Sequence, residues 1–175
     1  MFSDPDKNVE QCGIQAGMEI ADLGSGSGSY TLAAAKALMS TGKVYAVDAQ
    51  QELLKKIKNA AVREGLYNVE IISGDIEKIN GTKLRDVSID LAFLSNVLFQ
   101  LENKENTVKE VKRILRPGAR VLVVDWADSF GGIGPKPEMV VKKNEVGKIF
   151  EKNGFHLDRE INAGSHHYGL IYKKL

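Results

Sequence analysis

Ala21-Asp22-Leu23-Gly24-Ser25-Gly26-Ser27-Gly28-Ser29-Tyr30 follows the apolar run Met18-Glu19-Ile20-Ala21 and precedes Thr31-Leu32-Ala33-Ala34-Ala35-Lys36-Ala37-Leu38. The first run reads as a buried strand and the last as a helix. Between them three glycines alternate with serines. Glycine has no Cβ, so its backbone takes positive φ and lets a ligand approach closely. A glycine turn that opens a helix also aims free N–H groups at whatever lies above the strand. That arrangement suits a carboxylate, a phosphate or a ribose edge. A tight strand-to-helix turn without a ligand is the plainer reading, and three alternating glycines exceed what such a turn needs.

Outward from this stretch the chain keeps alternating strand and helix. Lys43-Val44-Tyr45-Ala46-Val47-Asp48 is a second apolar run that ends in an acid. From Gln50 to Glu64, the residues Leu53, Leu54, Ile57, Ala60 and Ala61 recur at helical spacing, and Gly65 closes the helix. Val69-Glu70-Ile71-Ile72-Ser73-Gly74-Asp75 is a third strand and Ile89-Asp90-Leu91-Ala92-Phe93-Leu94 a fourth; the polar stretch from Glu77 to Val87 between them is ambiguous. Asn103 to Leu115 is helical, with Val108, Val111, Ile114 and Leu115 on one face, and Arg116-Pro117-Gly118 is expected to stop it. Ala119 to Trp126 holds the most apolar run and reads as a central strand buried on both faces. A glycine- and proline-rich loop, Phe130 to Pro137, leads to a helix from about Asn144 to Lys152, capped by Asn153-Gly154. Phe155–Ile161 and Tyr168–Tyr172 close the chain as an antiparallel hairpin. The pattern predicts an α/β doubly wound, Rossmann-like three-layer sandwich: a seven-stranded, mostly parallel sheet with an antiparallel last strand. Residues 1–175 are expected to form a single domain, with 1–17 an N-terminal arm or helix.

Composition narrows the function class. The 175 residues carry 24 basic and 23 acidic side chains, a formal net charge of +1, which gives no electrostatic case for nucleic acid or an anionic membrane. One cysteine, Cys12, excludes an intrachain disulfide and a cysteine zinc cluster. The N-terminus lacks a signal-peptide pattern and no apolar run reaches membrane-span length, so a cytoplasmic enzyme or binding protein is the default expectation.

In such sheets ligands bind beyond the carboxyl ends of the strands, where strand order reverses. Those ends carry Asp22 and the glycine loop, then Asp48, then Asp75 and Ile76, then Ser95 and Asn96. Asp48 lies 20 residues after Gly28, where a carboxylate meets the ribose hydroxyls of a nucleoside. Asp75 is suited to an exocyclic amine and Ile76 to a purine face. Asp22-x-Gly24-x-Gly26-x-Gly28, then Asp48, then Gly74-Asp75-Ile76 resemble the first three motifs of the class I S-adenosylmethionine-dependent methyltransferases. Ile114-Leu115-Arg116-Pro117-Gly118-Ala119-Arg120 resembles their turn before strand five, and the closing hairpin resembles their last two strands. The resemblance runs from about Met18 onward and is closest to small-molecule enzymes of the ubiquinone/menaquinone-biosynthesis type.

The resemblance implies S-adenosyl-L-methionine as cofactor and S-adenosyl-L-homocysteine as product. It implies that Gly24, Ser25, Gly26 and Gly28 admit the methionine part and that Asp22 orders the loop or reaches the amino group. Asp48, with Ala49 beside it, would take the ribose hydroxyls, Asp75 the adenine amine, Ile76 the ring face, and Ser95 would sit near the sulfonium. Leu94-Ser95-Asn96-Val97 replaces the Asn-Pro-Pro-aromatic motif of adenine and amide nitrogen methylation, which argues against that chemistry. The segment before the first strand is short for this family. The substrate site is then either unusually open or covered by a partner chain, as in a homodimer, or by the Phe130–Pro137 loop.

Methyl transfer from a sulfonium needs chiefly proximity and orientation, and a base only when the acceptor carries a proton. Asp125, His166 and His167 are the candidate bases; two adjacent histidines in a strand face opposite ways, so at most one faces the crevice. For the same reason His166 and His167 with Asp128 chelate a metal poorly, and no metal site is expected. Trp126 and Tyr168 read as core or as pocket lining. The basic residues Lys109, Lys112, Arg113, Arg116, Lys142 and Lys143 read as solvated faces. A small-molecule acceptor is the expected partner. The rivals are a non-catalytic cofactor-binding or regulatory protein, an RNA methyltransferase, and a nicotinamide dehydrogenase. The last expects Gly-x-Gly-x-x-Gly, whereas here Ser29 stands three residues after Gly26.

Overall fold

The computed structural model describes residues 2–175. Helix α1 (Pro5–Glu10) is followed by β1 (Glu19–Leu23), α2 (Ser29–Ala37), β2 (Lys43–Asp48), α3 (Gln51–Arg63), β3 (Val69–Ser73) and β4 (Ile89–Ser95). Then come α4 (Lys104–Ile114), β5 (Leu115–Trp126), α5 (Lys143–Lys152), β6 (Phe155–Ile161) and β7 (His167–Lys174). The seven strands form one sheet in the order β3-β2-β1-β4-β5-β7-β6. All neighbours are parallel except β7, which runs antiparallel to both β5 and β6. The order reverses between β1 and β4, which puts the ligand crevice above those two strands.

The core lies in two layers, one on each face of the sheet. On one face Tyr30, Ala34, Leu54, Ile57 and Ala61 of α2 and α3, with Leu38 just after α2, pack on Ile20, Val44, Phe93 and Leu122. On the other, Val108, Val111 and Ile114 of α4 and Val146 and Phe150 of α5 pack on Leu23, Val121, Val123 and Leu170. Because β1, β4 and β5 are covered on both faces, their sequences are apolar without alternation. Asn103 caps α4 by accepting from the Asn106 N–H at 3.0 Å. Gly65, at φ +71°, ends the turn after α3, as its position predicts.

The Arg116-Pro117-Gly118 stop is different in kind from the one expected. Helix α4 gives way to strand at Leu115 with no loop: Leu115 pairs with Ile89, and the next pair is Arg120 with Leu91. The intervening residues bulge out of the ladder at Pro117, which has no N–H to donate, and at Gly118, φ +76°. Strand β3 also ends at Ser73, so Asp75 sits in the loop beyond it. His166 is not a strand residue. It precedes β7 with a left-handed backbone, φ +63°.

Candidate active site

The glycine loop folds back on β2. Gly24 and Ser25 N–H both donate to the Val47 carbonyl, at 2.8 and 3.1 Å. The three glycines serve different ends. Gly28 opens α2 at φ +83°, and a Cβ there would stand 2.5 Å from Ile57 Cγ1. A Cβ on Gly24 would stand 2.8 Å from Val97 Cγ2. Gly26 is free of such packing: its nearest neighbour would be the Gly24 carbonyl at 3.9 Å. A Cβ at Gly26 would instead take up room in the trough above the sheet.

That trough has two adjoining parts, which share Gly24, Gly26 and Gln100. One, of about 270 Å³, is lined by Asp48, Ala49, Asp75, Ile76, Val97 and Leu101 among others. The second, of about 240 Å³, is lined by Asp22, Ser25, Tyr30, Ser95 and Asn96, with Ser3 and Pro5 of the N-terminal arm. Thus all the sequence-predicted cofactor residues except Gly28 line the trough; Gly28 sets the helix start below it.

Each carboxylate is held differently. Asp48 Oδ2 accepts from the Gly26 N–H and Oδ1 from the Gln50 N–H, both at 2.9 Å. A carboxylate offers about four acceptor sites, so two remain for a ligand. Asp75 accepts from the Glu77 N–H at 3.0 Å and pairs with Lys78 at 3.1 Å, which together hold its carboxyl below the usual range. Asp22 is buried at the foot of the second cavity. Burial pushes its carboxyl up to about 6, against the hydrogen bond from Thr31 Oγ1 at 2.6 Å. Two buried polar atoms in this second cavity, Ser25 Oγ and Asn96 Oδ1, have no protein partner. Asn96 also takes a left-handed backbone, φ +53°, a conformation that Asn tolerates better than most residues.

The loop that carries Asp75 is fixed from behind. Asp75 N–H donates to the Gly81 carbonyl at 3.0 Å. Glu110 of α4 accepts from the N–H groups of Asn80 and Thr82 and from Thr82 Oγ1, and it pairs with Arg113 at 2.7 Å. Burial opposes ionisation of Glu110, yet these donors hold its carboxyl down at about 2. Arg113 is therefore not on a solvated face: its side chain is 14% exposed and buttresses this loop.

The candidate bases fall elsewhere. Asp125 is buried and accepts from the Leu98 N–H at 2.9 Å and the Trp126 N–H at 2.8 Å. Burial raises its carboxyl to about 6. Its work is to hold the turn Leu98–Gln100, which carries Gln100 into the trough. His166 precedes β7 and His167 begins it opposite Trp126, both outside the two cavities, and Tyr168 spends its hydroxyl on the Val141 carbonyl at 2.9 Å. Asn96 lines the second cavity beside Ser95, at the strand end where the sequence places both, whereas sequence reasoning passed over Gln100, Ser3 and Tyr30 as lining residues. Among the described residues no cluster of three or more His, Cys, Asp or Glu side chains is placed to hold a metal ion, and no helix is long and apolar enough to cross a membrane.

A glycine-lined trough with one carboxylate at each of three strand ends, on a sheet reversing between β1 and β4, defines a nucleoside-cofactor site on a Rossmann-like fold. A methyltransferase-domain family model matches residues 14–154, and the chain belongs to the class I S-adenosylmethionine-dependent methyltransferases. A solved S-adenosylmethionine-dependent methyltransferase from Aquifex aeolicus is 30% identical, with a TM-score of 0.89 over 99% of this chain and 91% of that one. The ubiquinone/menaquinone biosynthesis C-methyltransferase UbiE of Hydrogenovibrio crunogenus is 28% identical over 120 residues, 68% of this chain and 46% of the relative. The chain thus spans about half the length of the curated relatives it matches. The [4+2]-cyclase SpnF shares the fold at TM-score 0.81 and 15% identity. The fold alone therefore does not fix the chemistry.

Proposed function

We propose that the chain, as a single domain, transfers the methyl group of S-adenosylmethionine to a small-molecule acceptor by in-line displacement. The observation that carries this reading is the trough itself: Asp48 and Asp75 flank one cavity, Asp22 closes the next, and Gly26 leaves the passage between them open. The residues present fit the cofactor. The carboxylate set matches ribose hydroxyls, an exocyclic amine and an ammonium group, and the unpartnered Ser25 and Asn96 atoms lie at the methionine end.

Asp48 holds the ribose through its two free acceptor sites, its orientation locked by Gly26 and Gln50. Asp75 accepts from the adenine amine, and Ile76 with Leu53 and Leu101 covers the ring. Asp22 faces the methionyl ammonium and Ser95 the reacting end. The bound cofactor supplies an already activated methyl carbon, so the chain's share is orientation and exclusion of water. The arm covers the methionine end: Asn8 Nδ2 donates to Ser3 Oγ at 2.8 Å and to Tyr30 Oη at 2.7 Å, which ties Ser3 over the cavity.

Incubation with S-adenosylmethionine and a panel of hydroxylated, amino and thiol acceptors, read by release of S-adenosylhomocysteine, tests the reading. Acceptor-dependent release supports it. Tight cofactor binding without release for any acceptor would favour a binding or regulatory protein instead.

A further inference from the structure

Toward the amino end of β5, away from the trough, the sheet sets three basic side chains in one row. Arg120 of β5 pairs with Lys173 of β7, and Lys173 pairs with His156 of β6. Residues directly opposite in antiparallel strands put their side chains on the same face. That face also carries Leu122 with Ile171, a pair in the core layer under α2 and α3. Beyond the bulge in β6, Arg159 stands opposite Ile171 and so faces the same way. Lys173, His156 and Arg159 are exposed, and Arg120 is half-buried.

The row is not neutralised from within. Among the described residues no carboxylate forms an ion pair with Arg120, Lys173 or His156; Arg159 has Asp158 at 2.7 Å. The other half of the sheet is built differently. There Lys43 of β2 reaches Glu70 of β3 at 3.1 Å, and the Tyr45 hydroxyl donates to Glu19 at 2.7 Å. Like charges set directly opposite destabilise a sheet. A row of one sign works against the fold, and a bound anion relieves it.

The charged heads are also left uncovered. A Cβ on Gly13 would stand 3.9 and 4.0 Å from the two Arg120 Nη atoms, and one on Gly118 would stand 3.7 Å from Lys173 Cε. Neither glycine has a side chain to fill that space. Arg159 Nη2 donates to the Gln11 carbonyl at 2.9 Å. Burial pushes the Cys12 thiol up to about 12, and the charges of Arg120 and Arg159 both pull against it. The two guanidiniums thus converge on residues 11–13 from different strands. The β6 edge itself is blunted by the bulge at Asp158, so the face is the surface on offer.

We propose that this face is a second ligand site, which takes the diphosphate or polyphosphate group of an anion through Arg120, Lys173, Arg159 and His156. Neighbouring strands lie about 4.8 Å apart, so the row spans about 10 Å, wider than one phosphate. Arginine offers a planar fork of donors, lysine a compact charge, and His156 a ring N–H in either charge state. The site is separate from the trough. Arg120 precedes Val124, the partner of Ser95, by about 13 Å along β5. It therefore stands whether or not the trough transfers methyl groups.

Calorimetric titration of the whole chain with sodium pyrophosphate in about 50 mM NaCl tests the site. One saturable, submillimolar site is expected, weakened at least about tenfold by Arg120→Gln and by Lys173→Gln, and several-fold in about 300 mM NaCl. Inorganic phosphate should bind at least about tenfold more weakly than pyrophosphate, because it meets fewer of the cations. Lys43→Gln, on the far side of the sheet, and saturation with S-adenosylhomocysteine should each leave the affinity unchanged. Without ligand, Lys173→Gln should melt no lower than the wild type, since it removes a repelling neighbour. Absent binding, or binding indifferent to both the Arg120 and Lys173 variants, overturns the site. An equal loss in Lys43→Gln would reduce it to general charge attraction, and competition by S-adenosylhomocysteine would move the anion to the glycine loop; either result overturns it. Equal affinity for phosphate overturns the diphosphate assignment. A melting point several degrees lower in Lys173→Gln would show the row held by contacts of its own and overturn the reasoning.

Discussion

Asp22→Asn should make the protein more stable at neutral pH. The Asp22 side chain is buried at the end of β1, 2% exposed, and accepts from Thr31, whose Oγ1 lies at 2.6 Å. Burial outweighs the Thr31 hydrogen bonds and raises the carboxyl from 3.8 to about 6. A raised native value means that the folded chain holds this proton more tightly than the unfolded chain. The group's contribution to stability is therefore full below about pH 4 and is lost as pH rises through 6. Above pH 7 the shift of about two units corresponds to about 3 kcal/mol against the native state. Asparagine keeps the shape, accepts from Thr31 through its amide oxygen and carries no charge. Urea denaturation, followed by tryptophan fluorescence at pH 7.5, 6.0 and 4.5, should show Asp22→Asn more stable by about 3 kcal/mol at pH 7.5. The gap should narrow at each step down in pH. An unchanged or lower midpoint at pH 7.5, or a gap that widens toward acid, would refute the reasoning. On the proposed function this carboxylate faces the cofactor's ammonium group, so the same variant should bind S-adenosylhomocysteine more weakly.

The pH dependence of binding follows from the same carboxyl: affinity for S-adenosylhomocysteine should fall between pH 7.5 and 5 in the wild type, as Asp22 takes up its proton, and much less in Asp22→Asn, as calorimetry would show. Gly28→Ala and Gly26→Ala should separate fold from site. The first drives a Cβ into Ile57 at positive φ and should cost about 2–3 kcal/mol in denaturation; the second should cost about 1 kcal/mol and chiefly lower cofactor affinity. Glu110→Gln should destabilise by about 3–5 kcal/mol at pH 7, because it strands the guanidinium of Arg113 and loosens the Asn80–Thr82 turn behind Asp75. Thermal denaturation and the loss of affinity for adenosine alone would read both effects.

Much of the fold could be read along the chain because its signals are local. Strand β2 spans the expected Lys43–Asp48, and Leu54, Ile57 and Ala61 face inward from α3 at the spacing that predicts a helix. Asp48 was legible because the motif is a fixed distance along one βαβ unit. What escaped depends on partners far apart in sequence. Arg116-Pro117-Gly118 looks like a loop, but Leu115 already pairs with Ile89 of β4, and only that neighbour turns the break into a bulge. Arg113 reads as a surface charge of an amphipathic helix; its side chain is only 14% exposed because it pairs with the buried Glu110, over which the Asn80–Thr82 turn folds. An aromatic cluster joins Phe2, Trp126, Phe130 and His166 from opposite ends of the chain, and no spacing announces it.

The central claim is that the trough is built for a sulfur nucleoside. Calorimetric titration of the wild type and Asp48→Ala with S-adenosylhomocysteine and with NADH tests it most directly. The account predicts micromolar binding of S-adenosylhomocysteine, about −8 kcal/mol, weakened at least about tenfold when the ribose carboxylate is removed, and no comparable binding of NADH. Preference for NADH, or S-adenosylhomocysteine binding that is indifferent to Asp48→Ala, would contradict it.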